Sequence, residues 1–558
     1  MTTTSPAAAL HLLPPRRTPA RFWAVVLMIV MPLFCGVLAL LLGADASWDL
    51  RNYHWYNAWA YLNGRHDTDF MPSQGQFFLN PWLDVPFYVL ATHVPPAAAF
   101  FILGVIQGLN FPLLFMTAYA TLSFKDQQAK VLASAALATA GLFSAIGISE
   151  IGACFYDNVT SLGVLASLLM LLHRINRLQE GPERPALFYA GLAGLPAGLM
   201  TGLKMTCAPY SIGLCLALLV FSPQQRRCFL LSLCFGLGVL AGFIATYGHW
   251  GWHLYTHYDS PTFPFFNILF HSPLLPSDSL ILDFAPPHNW RLLVFPFLFG
   301  VEPRLVNEVG WEDWRIPALY GLFLWLLVQY KATKKRARGG AIAEAPPARF
   351  LLLWGFVSYY CWVLSETVYR YLMPLDMMAP LLIVICIGLL PATRGARVIA
   401  AAAVVAALSL TIQPANWGRH EVMPAKMSAA APVPHLAPDT LVLMAGLDAY
   451  GYLLPALPPE AQYLRIESRG FPAKGANGIN DLIRRKLAAH KGPLMLLMPA
   501  RDIARSDAVL DAMGLKLLPG CHTAVIDMLS EPVLDRPSDS GNAYAPAYNL
   551  CRVMKALP

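Results

Sequence analysis

Four charged residues of this chain stand where charge is expensive. Asp49, in ADASWDLRNYHWY (44–56), follows a long apolar run by a few residues. A carboxylate at a membrane surface is partly desolvated, which strengthens it as a base. Asp49 is therefore a candidate general base, although Asp45 and Asp49 could simply cap and solvate the end of that run. Asp157, in EIGACFYDN (150–158), opens another apolar run. It reads either as a carboxylate favoured by a helix macrodipole or as a second acid that converges with Asp49. Lys204, in TGLKMT (201–206), lies between two apolar runs, a costly place unless the amine snorkels or meets an anion. Arg370, in ETVYRYLMP (366–374), sits at a helix edge, with Glu366 as the plainer partner. Lys204 and Arg370 are candidates for holding a phosphate or pyrophosphate; a guanidinium suits that task because it binds phosphate bidentately.

His249, His253, His257 and Asp259 form a further series. The three histidines would share one helix face, a spacing that can bind zinc. Trp250, Trp252, Tyr255 and Tyr258 surround them, and Pro261 and Pro264 follow, so an aromatic and polar interfacial belt is the preferred reading. No CxxC pair or other zinc-ligand spacing occurs among the ten cysteines. Eight of the ten lie in apolar stretches as small hydrophobes. Cys521 and Cys551 stand in the C-terminal tail and could pair if that tail is extracytoplasmic.

The elements that position these residues are membrane helices. Of 558 residues, 56% are hydrophobic and 13% charged, against roughly 25% charged in soluble domains. Too little charge remains to cover a soluble core of this size, so much of the surface must face lipid. The net charge of +7 reads as loop lysines and arginines and not as a nucleic-acid footprint. Spans of roughly 20 apolar residues begin at 22–43. They continue at 96–121, 131–149, 158–173, 186–203, 205–222, 228–247, 315–330, 350–367, 374–391 and 396–412, about eleven in all by this criterion. Arg16, Arg17 and Arg21 precede the first and place the N-terminus in the cytoplasm. A cleaved signal peptide is the competing reading, because Ala44-Asp45-Ala46 resembles a cleavage site. Counting onward, every basic cluster falls on one side: Lys125 and Lys130; Arg174, Arg177 and Arg184; Arg226 and Arg227; KATKKRAR at 331–338; Arg394 and Arg397. The expected organisation is a cytoplasmic 1–21, a transmembrane domain 22–415 with outside loops 44–95 and 248–314, and an extracytoplasmic 416–558. Residues 292–299 are too short to span, and no internal repeat is visible, which weakens a duplicated-transporter reading.

The tail alternates its periodicities. TLVLMA (440–445) and PLMLLM (493–498) read as strands. Residues 479–490, with Asn477 or Asn480 as cap, and 504–513 read as helices. The alternation predicts a small α/β domain with a partly parallel sheet. In the first outside loop, residues 57–64 read as a short amphipathic helix anchored by Trp55, Trp59 and Tyr61.

Taken together, these residues resemble the GT-C superfamily of membrane glycosyltransferases, mannosyltransferase-like members above all. Asp49 followed by Tyr53 and Leu62-Asn63-Gly64, the aromatic and proline-bearing 76–88, Asp157, Gly202-Leu203-Lys204, and Tyr369-Arg370-Tyr371 with Pro374 resemble its short motifs in order and sidedness. The sequence departs in lacking an adjacent Asp-Glu pair after the first span and any D-x-D. The resemblance implies an α-helical polytopic GT-C-like fold and a sugar donor linked to polyprenyl phosphate. The acceptor would be the hydroxyl of a glycan, lipid or protein, with the reaction at the outer face of a bacterial inner membrane. It implies Asp49 as general base, Asp157 orienting the acceptor or assisting a cation, and Lys204 and Arg370 on the departing phosphate. Trp48, Tyr53, His54, Trp82 and Tyr371 would contact substrate. A divalent ion, Mg or Mn, is compatible with it and has no assigned ligands. The alternative is a transporter or flippase for a lipid-linked or anionic substrate; a polysaccharide polymerase or ligase and a non-enzymatic scaffold are further rivals.

Overall fold

The structure, a computed structural model, describes residues 10–16, 18–276, 284, 286–329, 341–421, 423–424, 426–427, 436–474, 477–525, 533–534 and 547–556. The basic run at 331–338 lies outside the described residues. The chain is mostly helical, with a small sheet near its C-terminus. Among the described residues, five helical segments are long and apolar enough to cross a membrane: Pro19–Leu42, Pro96–Thr121, Glu183–Leu203, Gln225–Tyr258 and Tyr369–Gly388. Asp157–His173, Met205–Val220, Arg291–Val301 and Arg315–Val328 are shorter apolar helices. The first helix exposes Phe22, Ile29 and Leu41. An apolar surface of that kind is unfavourable in water and favourable against lipid.

The chain divides into two compact units. The helical unit comprises 1–41, 101–248 and 282–416. Its centre is the helix Met373–Gly388, whose side chains are buried on every face up to Ile387, as expected for a helix that is apolar all round. Two runs that read as continuous are broken. Pro96–Gly108 and Asn110–Thr121 meet at Leu109. Gln127–Leu142 ends at Phe143, and Ala145–Glu150 restarts with the Ser144 hydroxyl accepting from the Gly147 N–H at 2.8 Å.

A seam of small residues joins Glu183–Leu203 to the first part of Gln225–Tyr258. Gly194, Gly198 and Gly202 recur every fourth residue, and so do Gly238 and Gly242. A Cβ at Gly198 would overlap the Val239 carbonyl, one at Gly194 that of Phe235, and one at Gly238 that of Gly191. The two backbones are therefore in direct contact. In lipid, where no hydrophobic force drives helices together, such contact is the main source of association.

The second unit comprises 42–100, 249–281 and 417–558, so the tail shares its core with most of both expected outside loops. Its sheet runs in the order Gln462–Arg465, Leu441–Met444, Leu494–Pro499, Ala547–Lys555, Leu515–Val525, Val533–Leu534. The first three strands are parallel and the others antiparallel, which bears out the partly parallel expectation. The tail helices are Gly478–Ala489, with the Asn477 side chain accepting from the Asn480 N–H at 2.8 Å, and Ser506–Ala512, inside the expected 504–513. Cys521 and Cys551, opposite one another on neighbouring strands, form a disulfide. First-loop residues are sewn into this sheet: Phe70 bridges to Leu464, and Asp69 accepts from the Tyr463 N–H at 3.1 Å. Arg65 pairs with Asp69 at 2.6 Å and donates to the carbonyls of Pro459 and Ala461.

The glycine seam makes a direct prediction. Gly198→Leu should destabilise the folded chain in detergent by about 2 kcal/mol or more, read by SDS titration followed by circular dichroism. Leu192→Ala, on the exposed flank of the same helix, should change it by less than about 0.5 kcal/mol.

Candidate functional site

Within the helical unit, the structure brings together three of the residues chosen for the cost of their charge. Asp157 opens the helix Asp157–His173, and Lys204 closes the helix Glu183–Leu203. A carboxylate at a helix N-terminus and a cation at a C-terminus each meet the favourable end of a macrodipole. Their ion pair closes at 2.6 Å between Lys204 Nζ and Asp157 Oδ1. Lys204 Nζ also donates to the Phe155 carbonyl at 2.8 Å. Arg370 enters from the single turn Tyr369–Leu372, with Nη1 3.8 Å from Asp157 Oδ2. Its guanidinium lies 4.9 Å from the Phe155 ring centroid and 5.1 Å from that of Tyr371. Lys204 Nζ stands 5.3 Å from the same Tyr371 ring. Arg370 precedes the N-terminus of Met373–Gly388, where a cation gains nothing from the dipole. Its placement serves the cluster and not the helix.

The 150–158 segment that carries Asp157 is pinned by polar side chains from inside the apolar run. Gln107 donates to the carbonyls of Glu150 and Ala153, both at 3.0 Å, and accepts from the Gly152 N–H at 2.7 Å. Asn110 donates to the Asn158 carbonyl at 2.6 Å. Tyr156, directly before Asp157, has φ 64°, a left-handed conformation that costs a bulky side chain energy and persists only where the surroundings enforce it.

Glu150 was not singled out by sequence, yet it is fully buried beside this cluster. Its signal was a carboxylate closing an apolar run. It ends the short helix Ala145–Glu150, beyond the apolar span, and its Oε2 accepts from the Asn158 N–H at 3.3 Å. Burial pushes its carboxyl well above the ordinary value; Asp157 pushes the same way, while Lys204 and Arg370 oppose. The group of Asp157, Lys204 and Arg370 sets two basic side chains against one carboxylate. The same set does not suit a divalent cation, because two cations already face the Asp157 carboxylate.

A second buried pair also escaped the sequence reading. Asp313 and Arg315 are almost wholly buried. Arg315 donates to the carbonyls of Ala140 and Phe143, satisfying the open C-terminal end of Gln127–Leu142. Asp313 accepts from the Ala145 N–H at 3.1 Å at the start of the next helix. Burial raises the Asp313 carboxyl, with Arg315 and these N–H groups opposing. One ion pair thus stabilises the break at 143–144.

Asp49 and the other first-loop candidates belong to the second unit. Asp49 is buried, and its Oδ2 accepts from Tyr53 Oη at 3.2 Å. His54 Nδ1 lies 2.6 Å from Asp84 Oδ1, and the His54 and Tyr53 rings are 4.0 Å apart. These residues occupy a widened helical turn, Leu50–His54, that leads into the helix Trp55–Leu62; such widened turns concentrate at functional sites. Trp48 is half-buried. Trp82 stacks on His249 at 3.9 Å and donates to Tyr61 Oη at 2.8 Å.

The histidine series differs from its expected setting. The helix does not stop near 247 but continues to Tyr258. His249 joins the aromatic stack with Trp82, whereas His253 and His257 gather with Asp67. No protein-family model matches the chain, and no curated protein or solved structure matches it either.

Two predictions follow from the buried charges. Lys204→Met should destabilise the helical unit by about 3–5 kcal/mol, because it removes the closest partner of a buried carboxylate. Adding Asp157→Asn should recover part of that loss, read as a double-mutant cycle of unfolding free energies. For Glu150 the folded carboxyl titrates above its ordinary value near 4.5. Its contribution to stability is therefore full below that pH and is lost as pH rises toward the folded pKa. Glu150→Gln should be at least as stable as wild type at neutral pH, with a flatter stability profile above pH 4.5.

Proposed function

We propose that this chain is a multi-pass membrane glycosyltransferase of the GT-C type, with about eleven spans of membrane-crossing length. It would transfer a sugar from a polyprenyl-phosphate donor to an acceptor hydroxyl at the outer face of a bacterial inner membrane. The single observation that supports this reading is the convergence of Lys204 and Arg370 on Asp157 over the ring of Tyr371. Two cations from sequence-distant elements, held side by side with net positive charge, form a receptor for a phosphate monoanion or dianion. An open apolar groove in the same unit, lined by Tyr320, Phe323, Phe356, Leu375 and Leu382 among others, has the chemistry to accept a prenyl chain.

The reaction forms a bond between the acceptor oxygen and the anomeric carbon as the carbon–phosphate oxygen bond breaks. The bonding pair leaves with the phosphate, the acceptor proton passes to a base, and the products are the glycosylated acceptor and polyprenyl phosphate. Negative charge grows on the departing phosphate, and positioned cations stabilise it more in the transition state than in the ground state. Lys204 and Arg370 take that role. Asp157 is a positioning residue, because its carboxylate fixes both cations. The role of base is proposed for Asp49 on the sequence resemblance alone; Tyr53 donates to its carboxylate.

The test is a transfer assay on purified full-length protein in lipid, with a panel of radiolabelled polyprenyl-phosphate sugars. Wild type should release polyprenyl phosphate with one donor. Arg370→Ala and Asp49→Asn should each lower the rate by roughly 10²-fold or more. Turnover that survives Arg370→Ala removes the phosphate site. Turnover that survives Asp49→Asn removes the base. Absence of turnover with every donor, in folded protein, moves the reading to a transporter of an anionic or lipid-linked substrate, which vesicle uptake would then show.

A further inference from the structure

We infer that Asp67, His253 and His257 form a binding site for a transition-metal dication of the zinc type, independent of the proposed transferase reaction. The helix Gln225–Tyr258 ends in a histidine-rich, aromatic stretch, GHWGWHLYTHY (248–258). His253 and His257, one turn apart, stand on one face there, with rings 4.3 Å apart. Asp67 comes from the single turn Arg65–Asp67 of the first loop, and all three residues belong to the same compact unit.

The three ligand atoms lie within 4.8 Å of one another. Asp67 Oδ1 is 3.6 Å from His257 Nε2 and 4.0 Å from His253 Nδ1. A tetrahedral ion with bonds of about 2.0–2.2 Å sets its ligands roughly 3.4 Å apart, so small rotations of the exposed Asp67 and His257 side chains would close the remaining gaps. The supporting contacts have the right polarity. His257 Nδ1 is 2.8 Å from the His253 carbonyl. Donation to that carbonyl places the proton on Nδ1 and leaves the Nε2 lone pair directed to Asp67, the arrangement found behind metal-binding histidines. The His253 ring is stacked on Trp250 at 4.9 Å and 17°, and the Trp250 indole N–H donates to the Phe78 carbonyl at 2.9 Å. One ligand ring is thus held before any ion arrives.

Two imidazoles and one carboxylate select for zinc, cobalt or nickel over magnesium or calcium, which require oxygen-rich shells. The Asp67 and His257 side chains are 66% and 43% exposed, leaving a fourth position for water. Bound there, the ion would clamp the Arg65–Asp67 turn to the helix end.

The experiment uses the full-length protein, purified without a polyhistidine tag, stripped with chelator and titrated with Zn²⁺ against a chromophoric competitor; Co²⁺ replaces it for visible spectra. Wild type should take up one tight equivalent and give the intense absorption of four-coordinate cobalt. His257→Gln and Asp67→Asn should each weaken binding at least about 10-fold, and His249→Gln should not. Both altered side chains are exposed, so near-ultraviolet circular dichroism should match wild type. Equal zinc uptake by wild type, His257→Gln and Asp67→Asn would mean an adventitious ion only and would overturn the site. So would the absence of binding at micromolar zinc, or a cobalt spectrum of octahedral, weakly absorbing form.

Discussion

An unpaired charge in an apolar interior costs more than almost any other single defect a chain can carry, and the helical unit is organised around avoiding it. Asp157, Lys204 and Arg370 are close in space and far apart in sequence. None of the three is tolerable alone at its position, so their meeting fixes how the ends of Asp157–His173 and Glu183–Leu203 approach the turn before Met373–Gly388. Asp313 and Arg315 do the same where one helix stops and another begins. Apolar packing leaves many helix arrangements nearly equal in energy, and the pairing of these charges selects among them.

Close backbone contact performs the complementary task along the length of the helices. The glycines of Glu183–Leu203 and Gln225–Tyr258 bring one helix axis against the other, which sets the height at which Lys204 emerges. The glycines of the seam have no side chains to repack, and the seam reaches Gly202, two residues before Lys204. Tyr156 adds a local constraint on the other partner, because its left-handed backbone is sustained only while Gln107 and Asn110 hold the 150–158 segment in place.

Much of this was legible in the sequence, for a definable reason. Lys204 and Arg370 betray themselves because a cation between apolar runs needs an anion, but the anion read from sequence was a bound phosphate, or Glu366 for Arg370, and Asp157 was set beside Asp49. The strands at 441–444 and 494–499 and the Asn477 cap were visible because period and capping are local properties. What stayed hidden depends on contacts across sequence. Glu150 looked like the end of a run until burial placed it beside the same cations. Asp313 and Arg315 looked like loop charges until they met the carbonyl and N–H ends left by the break at 143–144. The histidine helix showed its spacing, but its third ligand, Asp67, lies in a distant loop that no periodicity links to it. The tail read as a domain in its own right, since the bonds from Arg65 and Asp69 to the strand region around Tyr463 leave no local trace.

The same carboxylate that makes the cation pair possible also sets its limits. With Asp157 Oδ1 2.6 Å from Lys204 Nζ, the phosphate of the proposed donor would share that lysine with the carboxylate. Arg370, 3.8 Å from Asp157, forms the looser of the two pairs. Arg370 carries the planar donor fork and sits over two aromatic faces, Phe155 and Tyr371, which stabilise its charge without competing for its N–H groups. Lys204, held closely by Asp157 and the Phe155 carbonyl, is the fixed member of the pair. A lysine held at close range beside an arginine stacked on aromatic rings is the arrangement on which the proposed phosphate site rests, where charge would grow only as a bond breaks.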